Sequence, residues 1–465
     1  MELTQSKRNK ICLSDYDYQK DIKNRILMSQ FSKTDLLVLE EILYSSLNFP
    51  IERLQKNLSL SKEELLPIID KLSETALFHL EESHIVVDKE MRKYYEFQIL
   101  KFEDNFIPDL EFLQGMLKKV PIHVLPNWYS IPRTSDNIFQ SLIEKYFLTP
   151  QAFQRYLLDI NLGDPVLTGI VQDVFNNDDL KVPSQELMDK YDLTKERFEE
   201  CLLLLEFNLL CCQGYDSRGS HWREVVTPFR EWREYLLFLR ETCPQPLPKT
   251  SKLIRRRPAD FAFVLDMSAL LKASMAEPLS LRDFKQLAQK CDGLNADEAK
   301  TESYLNHLID KMRLLRLADC AKEKLYPLEQ ARDFLNLRTE NKALFLYRHP
   351  LNCILNTSLP SHILNERNMR EAEKAISRVL DTGWVFFDDF IKGALIPFTE
   401  ETRVKLTRRG KGWKYSFPHY SEEEIELIRA TLFEWLFEAG IVAVGMQDDR
   451  PCFCATPFGQ NLFGS

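Results

Sequence analysis

Glycine is scarce in this sequence, with 14 in 465 residues, whereas folds that cradle nucleotides on glycine-rich turns use more of it. A large α/β cofactor enzyme is therefore disfavoured. A phosphate-binding loop needs GxxxxGK[ST], and the nearest fragment, Gly410-Lys411-Gly412-Trp413, lacks both the spacing and the final hydroxyl residue. The ten cysteines contain no CxxC pair. The close pair Cys452 and Cys454 falls on one face of an expected core strand, so zinc ligation, which wants paired short spacings of Cys or His, has no evident seat. None of the eight histidines stands in an HExxH or HxH pattern, and no Gly-x-Ser-x-Gly turn offers a nucleophile. No run of 18 apolar residues occurs, and residues 1–19 mix cations with polar groups instead of forming the apolar core of a signal peptide. The expectation is a cytoplasmic protein that is not an enzyme, with no cofactor, no metal and no membrane contact. Most of its cysteines are expected to be reduced core residues.

What is present is an ordinary globular balance, 44% apolar and 28% charged. The length exceeds what one hydrophobic core usually spans, so several domains of roughly 60 to 100 residues are expected. The net charge of −9 argues against general coating of nucleic acid, which relies on excess lysine and arginine. Any such contact must be local.

Periodicity reveals a repeated order of signals: a helix, a short second helix, a capped apolar helix, then two strands around a turn. First come 34–47 and 51–57, then Ser61 capping a helix that carries Leu65, Ile68, Ile69, Leu72 and Ala76, with a wing over 78–87. Pro67 departs from this pattern and predicts a kink. In the second set, 165–176 and 184–191 precede Thr194, which caps a helix carrying Phe198, Cys201, Leu202, Leu205 and Leu209. Strands over 210–213 and 222–226 follow, with 214–220 as the wing tip. The third set has 281–290, Thr301 before Leu305, Leu308, Ile309, Met312 and Leu315, and a wing over 316–326. In the fourth, Ser421 and Glu424 form a capping box before Ile425, Ile428, Leu432, Trp435, Leu436 and Ala439, and Gly440 closes the helix. Strands over 441–444 and 452–455 flank a turn at 447–450.

This order describes a winged helix, in which three helices bury one small core and a hairpin closes it. The expected fold is mainly α, with tandem winged-helix domains carrying short β-wings and joined by helical and basic linkers. The divisions are a tail at 1–30, winged helices at 31–100 and 161–240, and a winged-helix-like unit at 279–337. The last winged helix, at 367–465, carries a basic hairpin insertion. Between them lie a helical connector at 101–160, a Pro/basic linker and helix at 241–278, and a connector at 338–366.

Two basic clusters are the candidate nucleic-acid contacts. Arg403, Lys405, Arg408, Arg409, Lys411 and Lys414 fall within twelve residues without an acid, around a turn at 409–412. Trp413 and Tyr415 alternate toward one face of this hairpin, and cations beside aromatics suit phosphate contact with stacking or minor-groove insertion. An edge hairpin kept soluble by its charges fits the same residues. The second cluster, Lys249, Lys252, Arg255, Arg256 and Arg257, lies among prolines and reads either as an extended phosphate-binding linker or as a solvated spacer. Asp388 and Asp389 form an adjacent pair that suits capping of a short helix ending at Lys392 better than metal binding.

The capped helices themselves begin with acids: Glu63 and Glu64, then Glu196, Glu199 and Glu200, then Glu302, then Glu422, Glu423 and Glu424. Carboxylates there repel phosphates and suit the helix dipole, so most units are expected to bind protein or act as spacers.

The C-terminal segment is similar to the tandem winged-helix regions associated with bacterial helicases of the XPB type. The residues that carry the likeness are 433–436 with Gly440, Ile441 and Val442, the stretch 452–464 ending ThrProPheGlyGlnAsnLeuPheGly, and the aromatic basic hairpin at 413–415. The likeness covers roughly the last hundred residues, and no motor accompanies it, so it carries no activity. Two functions stay open. One is a scaffold in contact with nucleic acid through the hairpin and with a protein partner, such as a helicase, a chromosome-organising complex or transcription machinery. The other is a protein-interaction scaffold without nucleic-acid contact.

Overall fold

The computed structural model describes residues 7–8, 10–103, 106–218, 221–248, 252–294, 299–348, 358–410 and 412–464. Helices dominate it, and the sheets are small, with two to four mostly antiparallel strands. The chain divides into two compact units, Met1–Leu237 with Lys405–Tyr415, and Phe238–Val404 with Ser416–Ser465. Among the described residues, no helix is long and apolar enough to cross a membrane.

In the first unit, α1 (Tyr18–Met28) and α2 (Lys33–Tyr44) lead to β1 (Asn48–Pro50), α3 (Glu52–Leu58), α4 (Lys62–Ser73), β2 (Phe78–Glu81) and β3 (His84–Val87). The last strand is central, with β1 and β2 antiparallel on either side. α4 starts where Ser61 and Glu64 form a reciprocal capping box, a device worth about 1 kcal/mol. It persists because Leu65, Ile69 and Leu72 recur on one face, packed with Leu39 and Ile42 of α2 and Ile85 of β3. Burying each such side chain contributes about 1.5–3 kcal/mol. Pro67 does not break the helix. It lies on the exposed side, where water can serve the carbonyl that proline leaves without a donor.

Next, α5 (Leu110–Leu117) and α6 (Pro150–Asp159) lead to a second set: α7 (Pro165–Asn176), β4 (Val182–Pro183), α8 (Ser184–Tyr191), α9 (Lys195–Phe207), β5 (Cys212–Arg218) and β6 (His221–Thr227). Again the last strand is central, and the Thr194 side chain caps α9 through the Arg197 N–H. The expected wing-tip loop is corrected here: strand structure runs on from Gly214 to Arg218, and Gly219 and Ser220 lie outside the described residues. α10 (Arg230–Glu241) follows.

In the second unit the expected linker contains a strand, β7 (Ile254–Arg255), and the next set begins earlier than expected, with α11 (Ala262–Ala276). β8 (Leu279–Ser280), α12 (Phe284–Lys290), α13 (Ala299–Leu314), β9 (Ala318–Ala321) and β10 (Lys324–Pro327) complete it, with β10 central. Thr301 is not a cap, because α13 already begins at Ala299.

The fourth set is α14 (Glu366–Lys374), β11 (Val385–Phe386), α15 (Phe387–Lys392), α16 (Glu422–Ala430) continued by a π turn over Thr431–Leu436, β12 (Val442–Gln447) and β13 (Arg450–Ala455). Its sheet runs β11-β13-β12-β7. Ser421 and Glu424 form the expected capping box. Gly440 has φ +67, and a Cβ there would lie 2.6 Å from the Phe261 ring, so both conformation and space require glycine. Asp388 and Asp389 stand inside the first turn of α15 instead of capping it, with Asp389 paired to Lys392 at 2.7 Å. One order of elements therefore recurs four times, with the closing strand central to each sheet.

Candidate functional site

A helix-turn-helix lays the third helix of such a set into the DNA major groove, so the outer faces of α4, α9, α13 and α16 are the first places to look. α9 is covered along one outer flank, where the side chains of Glu199, Leu203, Glu206 and Phe207 are buried as well as its core residues Phe198, Leu202 and Leu205, and it exposes Glu196 and Arg197 in its first turn. α13 buries His307 and Lys311 on one flank and exposes Asn306, Asp310 and Arg313. α16 exposes Glu422, Glu423 and Glu426, and the turns after it enclose Leu432, Trp435 and Leu436. Only α4 is open along its length, where Glu63, Leu66, Pro67, Asp70 and Glu74 are exposed. The open faces thus present mainly carboxylates, the wrong sign for phosphate.

What covers that flank of α9 is an ion network. Arg25 of α1, 2% exposed, donates to Glu199 at 2.6 Å through Nε and to Glu206 at 2.7 Å through Nη1. Glu206 also accepts from the Gln213 N–H at 3.1 Å. Burial alone would raise the Glu199 pKa, but Arg25 and Lys195 outweigh it and hold it at about 2. Burial pushes the neighbouring Lys101 ammonium down to about 8, helped by Arg25. Glu199 was expected to serve the helix dipole. It is instead half of a buried pair, a role that spacing along one helix cannot reveal.

A second buried group joins α13 to the end of the π turn. His307 Nε2 lies 2.5 Å from Glu438 Oε1, and Lys311 Nζ lies 2.7 Å from Oε2 of the same carboxylate. With Glu434, the His307 and Glu438 side chains bring three ligand-type atoms within 4.8 Å of one another. This cluster was not anticipated, since 131 positions separate His307 from Glu438 in the chain. The Lys311 ammonium supplies at Glu438 the positive charge that a cation would supply, which favours an ion-pair role. The one local clue is the i, i+4 spacing of His307 and Lys311 beside the apolar stripe.

The basic hairpin forms, as strands Lys405–Arg409 and Gly412–Ser416, but it belongs to the first unit and not to the fourth set of elements. The Leu406 N–H donates to the Leu148 carbonyl at 2.8 Å. Tyr415 is 3% exposed and donates its hydroxyl to the Phe147 carbonyl at 2.8 Å. That corrects its assignment: Tyr415 anchors the hairpin and cannot stack on a base. Trp413 is partly buried, while Arg408, Arg409 and Lys414 are exposed. Arg408 lies 3.9 Å from Glu111 and Lys414 3.7 Å from Glu234, and Arg409 has no partner among the described residues. Lys405 is partly buried, and Lys411 lies outside the described residues. Arg403 falls in the second unit and pairs with Glu400 at 3.3 Å.

The linker cluster is corrected more strongly. Arg257 is 4% exposed and pairs with Asp266 at 2.9 Å, a structural position closed to phosphate. Arg255 pairs with Asp260 at 2.6 Å. Arg256 donates to the Phe433 carbonyl at 3.2 Å and lies over the Phe437 ring. Lys252 is exposed, and Lys249 lies outside the described residues.

At the base of the hairpin's unit, Glu231 of α10 is buried, and its Oε1 accepts from the Leu110 N–H at 3.3 Å. Burial, with Asp109 adding to it, raises its pKa to about 8. A raised carboxyl pKa gives stability that is complete below the unfolded value of about 4.3 and is lost as pH rises through about 8. Glu231→Gln is therefore expected to match the parent near pH 4 and to exceed it by about 4–5 kcal/mol at pH 8. Denaturant titration across that window tests this, and parallel pH profiles for the two proteins would refute it.

The same unit carries a cleft of about 620 Å³ lined by Trp128, Tyr129, Lys145, Tyr146, Arg155 and Tyr156 among others. Its tyrosine hydroxyls hold the walls together: Tyr146 donates to the Tyr129 carbonyl and Tyr156 to the Asn208 carbonyl, each at 2.8 Å. No protein-family model, curated protein or solved structure matches this chain.

Proposed function

We propose that this chain is a non-enzymatic scaffold of four tandem winged-helix units that works through protein contacts. The support for four units is the recurring element order with one strand arrangement, β1-β3-β2, β4-β6-β5, β8-β10-β9 and β11-β13-β12. The observation that carries the functional reading is the state of the third helices: α9 is covered along one flank, α4 and α16 expose mainly carboxylates, and α13 exposes Asn306, Asp310 and Arg313 with no excess of cations. A groove-reading helix needs the opposite, a free face with donors and cations. The likeness of the C-terminal segment to helicase-associated winged helices suggests a DNA-processing or chromosome-associated complex as the setting.

A second reading keeps nucleic-acid contact through the hairpin, favoured by Arg409, which is exposed and has no partner among the described residues, beside Arg408. Duplex and single-stranded oligonucleotides titrated over a salt series separate the two. On the scaffold reading, binding stays in the non-specific range of about 10⁻⁴–10⁻⁶ M, and Arg408→Ala/Arg409→Ala/Lys411→Ala leaves it unchanged. Tighter binding, with a logarithmic salt slope that falls by roughly two to three units in the triple variant, would overturn that reading in favour of the hairpin.

A further inference from the structure

Three carboxylates surround an apolar spot on α4. Glu63, Asp70 and Glu74, with Leu66 and Pro67 between them, occupy the side opposite the buried Leu65, Ile69 and Leu72. Leu66 is 42% exposed, and none of the three acids has a partner among the described residues. Two acids on the other open faces do have one: Asp310 lies 3.5 Å from Arg313, and Glu426 lies 3.7 Å from Arg429. Pro67 has no N–H to offer the Glu63 carbonyl four residues earlier, which adds a main-chain acceptor to the same face.

Part of the corresponding face on α9 is occupied, although Glu63 and Pro67 themselves correspond to the exposed Glu196 and the partly buried Glu200. Counted from the capping residues Ser61 and Thr194, the positions of Leu66, Asp70, Ser73 and Glu74 correspond to Glu199, Leu203, Glu206 and Phe207. Those four are buried on α9, where helix α1 inserts Arg25 between the two glutamates. A mixed acidic and apolar outer face is therefore covered, in this fold, by a helix that brings a cation.

Resting on the protein-scaffold reading, we propose that the outer face of α4 docks a basic amphipathic helix of a partner protein. Lysines or arginines of that helix meet Glu63, Asp70 and Glu74, and an apolar side chain rests on Leu66 and Pro67. Helix-on-helix recognition of this kind takes its affinity from the apolar anchor and its selectivity from charge.

The test titrates the full-length protein with a fluorescent synthetic amphipathic helix bearing lysine and arginine beside leucine, and with the same peptide carrying glutamate in place of the cations. The basic peptide should bind more weakly as salt rises, and the acidic one should not bind. Charge reversal by Glu63→Lys/Asp70→Lys/Glu74→Lys should weaken binding about tenfold or more, as should Leu66→Ser. The amide set Glu63→Gln/Asp70→Asn/Glu74→Gln should give a smaller loss in the same direction, and it carries the test if the reversed protein does not fold. No binding of the basic peptide at low salt, or equal binding by the parent and the folded variants, would overturn the proposal. Neither result touches the scaffold reading, which fails only if the oligonucleotide titration shows hairpin-dependent binding.

Discussion

Arg25→Met is expected to destabilise the first unit by about 3–5 kcal/mol, the cost of leaving buried carboxylates without their cation. Arg25 is 2% exposed, and Glu199 and Glu206 are wholly buried, so water cannot replace the guanidinium without opening the contact between α1 and α9. The loss should appear as faster amide hydrogen exchange along α9 and as an earlier transition in denaturant. A second variant separates charge from shape. Arg25→Met/Glu199→Met/Glu206→Met removes the unpaired charges together with the pair and should recover at least half of the loss, because buried ion pairs often stabilise little more than apolar groups of like size. Gln213 loses two acceptors in that variant, its N–H to Glu206 and its amide to Glu199, so full recovery is not expected.

The same carboxylates set an acid limb. Burial opposes their ionisation, but Arg25 dominates and depresses the folded pKa of both, to about 2 for Glu199. A depressed carboxylate contributes stability that is complete above the unfolded value of about 4.3 and is lost as pH falls through the folded value. The parent should therefore lose stability between about pH 4 and pH 2, and Arg25→Met should show a shallower limb. A single-residue loss below about 1 kcal/mol, within the range of exposed ion pairs, together with an unchanged limb, would show that the network does not hold α9 in place.

The periodic parts of this fold were legible in the sequence. Leu65, Ile69 and Leu72, or Ile428, Leu432 and Trp435, repeat at helical spacing because each helix buries one side, and Ser61 and Ser421 announce their helices through side-chain chemistry that needs no tertiary contact. α11 was expected only as a helix of the linker, and its place in the third set escaped notice for the opposite reason. Phe263, Val264, Met267, Ser268, Leu270 and Leu271 are all buried, so no stripe marks a direction. Strands of two or three residues, such as Asn48–Pro50 and Leu279–Ser280, are too short to alternate visibly, and their partners lie far along the chain. The candidate site was the least legible part. Glu199 and Glu63 look alike in sequence, each an acid in the opening turns of a capped helix, yet one is enclosed by Arg25 and the other faces solvent. Arg257 and Arg409 are both members of basic runs, and what distinguishes them is Asp266, a residue no local pattern connects to Arg257 as its partner. Composition located the charges, and only the fold determined which of them remain available.

Glu438→Leu is expected to destabilise the second unit by about 3–5 kcal/mol, since it removes the carboxylate that faces two buried basic groups at once. Lys311 is wholly buried, and its ammonium lies 2.7 Å from Glu438 Oε2, while His307 meets the other oxygen. The double variant Lys311→Met/Glu438→Leu should be more stable than Glu438→Leu alone, giving a coupling energy of about 1–3 kcal/mol in a double-mutant cycle. An ion-pair role and a metal role diverge at this point. If Lys311 supplies the compensating charge, the melting temperature of the parent is insensitive to a chelator, and Lys311→Met is destabilising with or without added zinc. If His307, Glu434 and Glu438 hold a cation instead, the chelator lowers the parent's melting temperature, and zinc restores it. Under the ion-pair role, the outer flank of α13 is committed to holding the turn after α16 and is unavailable to any groove. A Glu438→Leu protein that melts like the parent would return that flank to the list of candidate recognition surfaces.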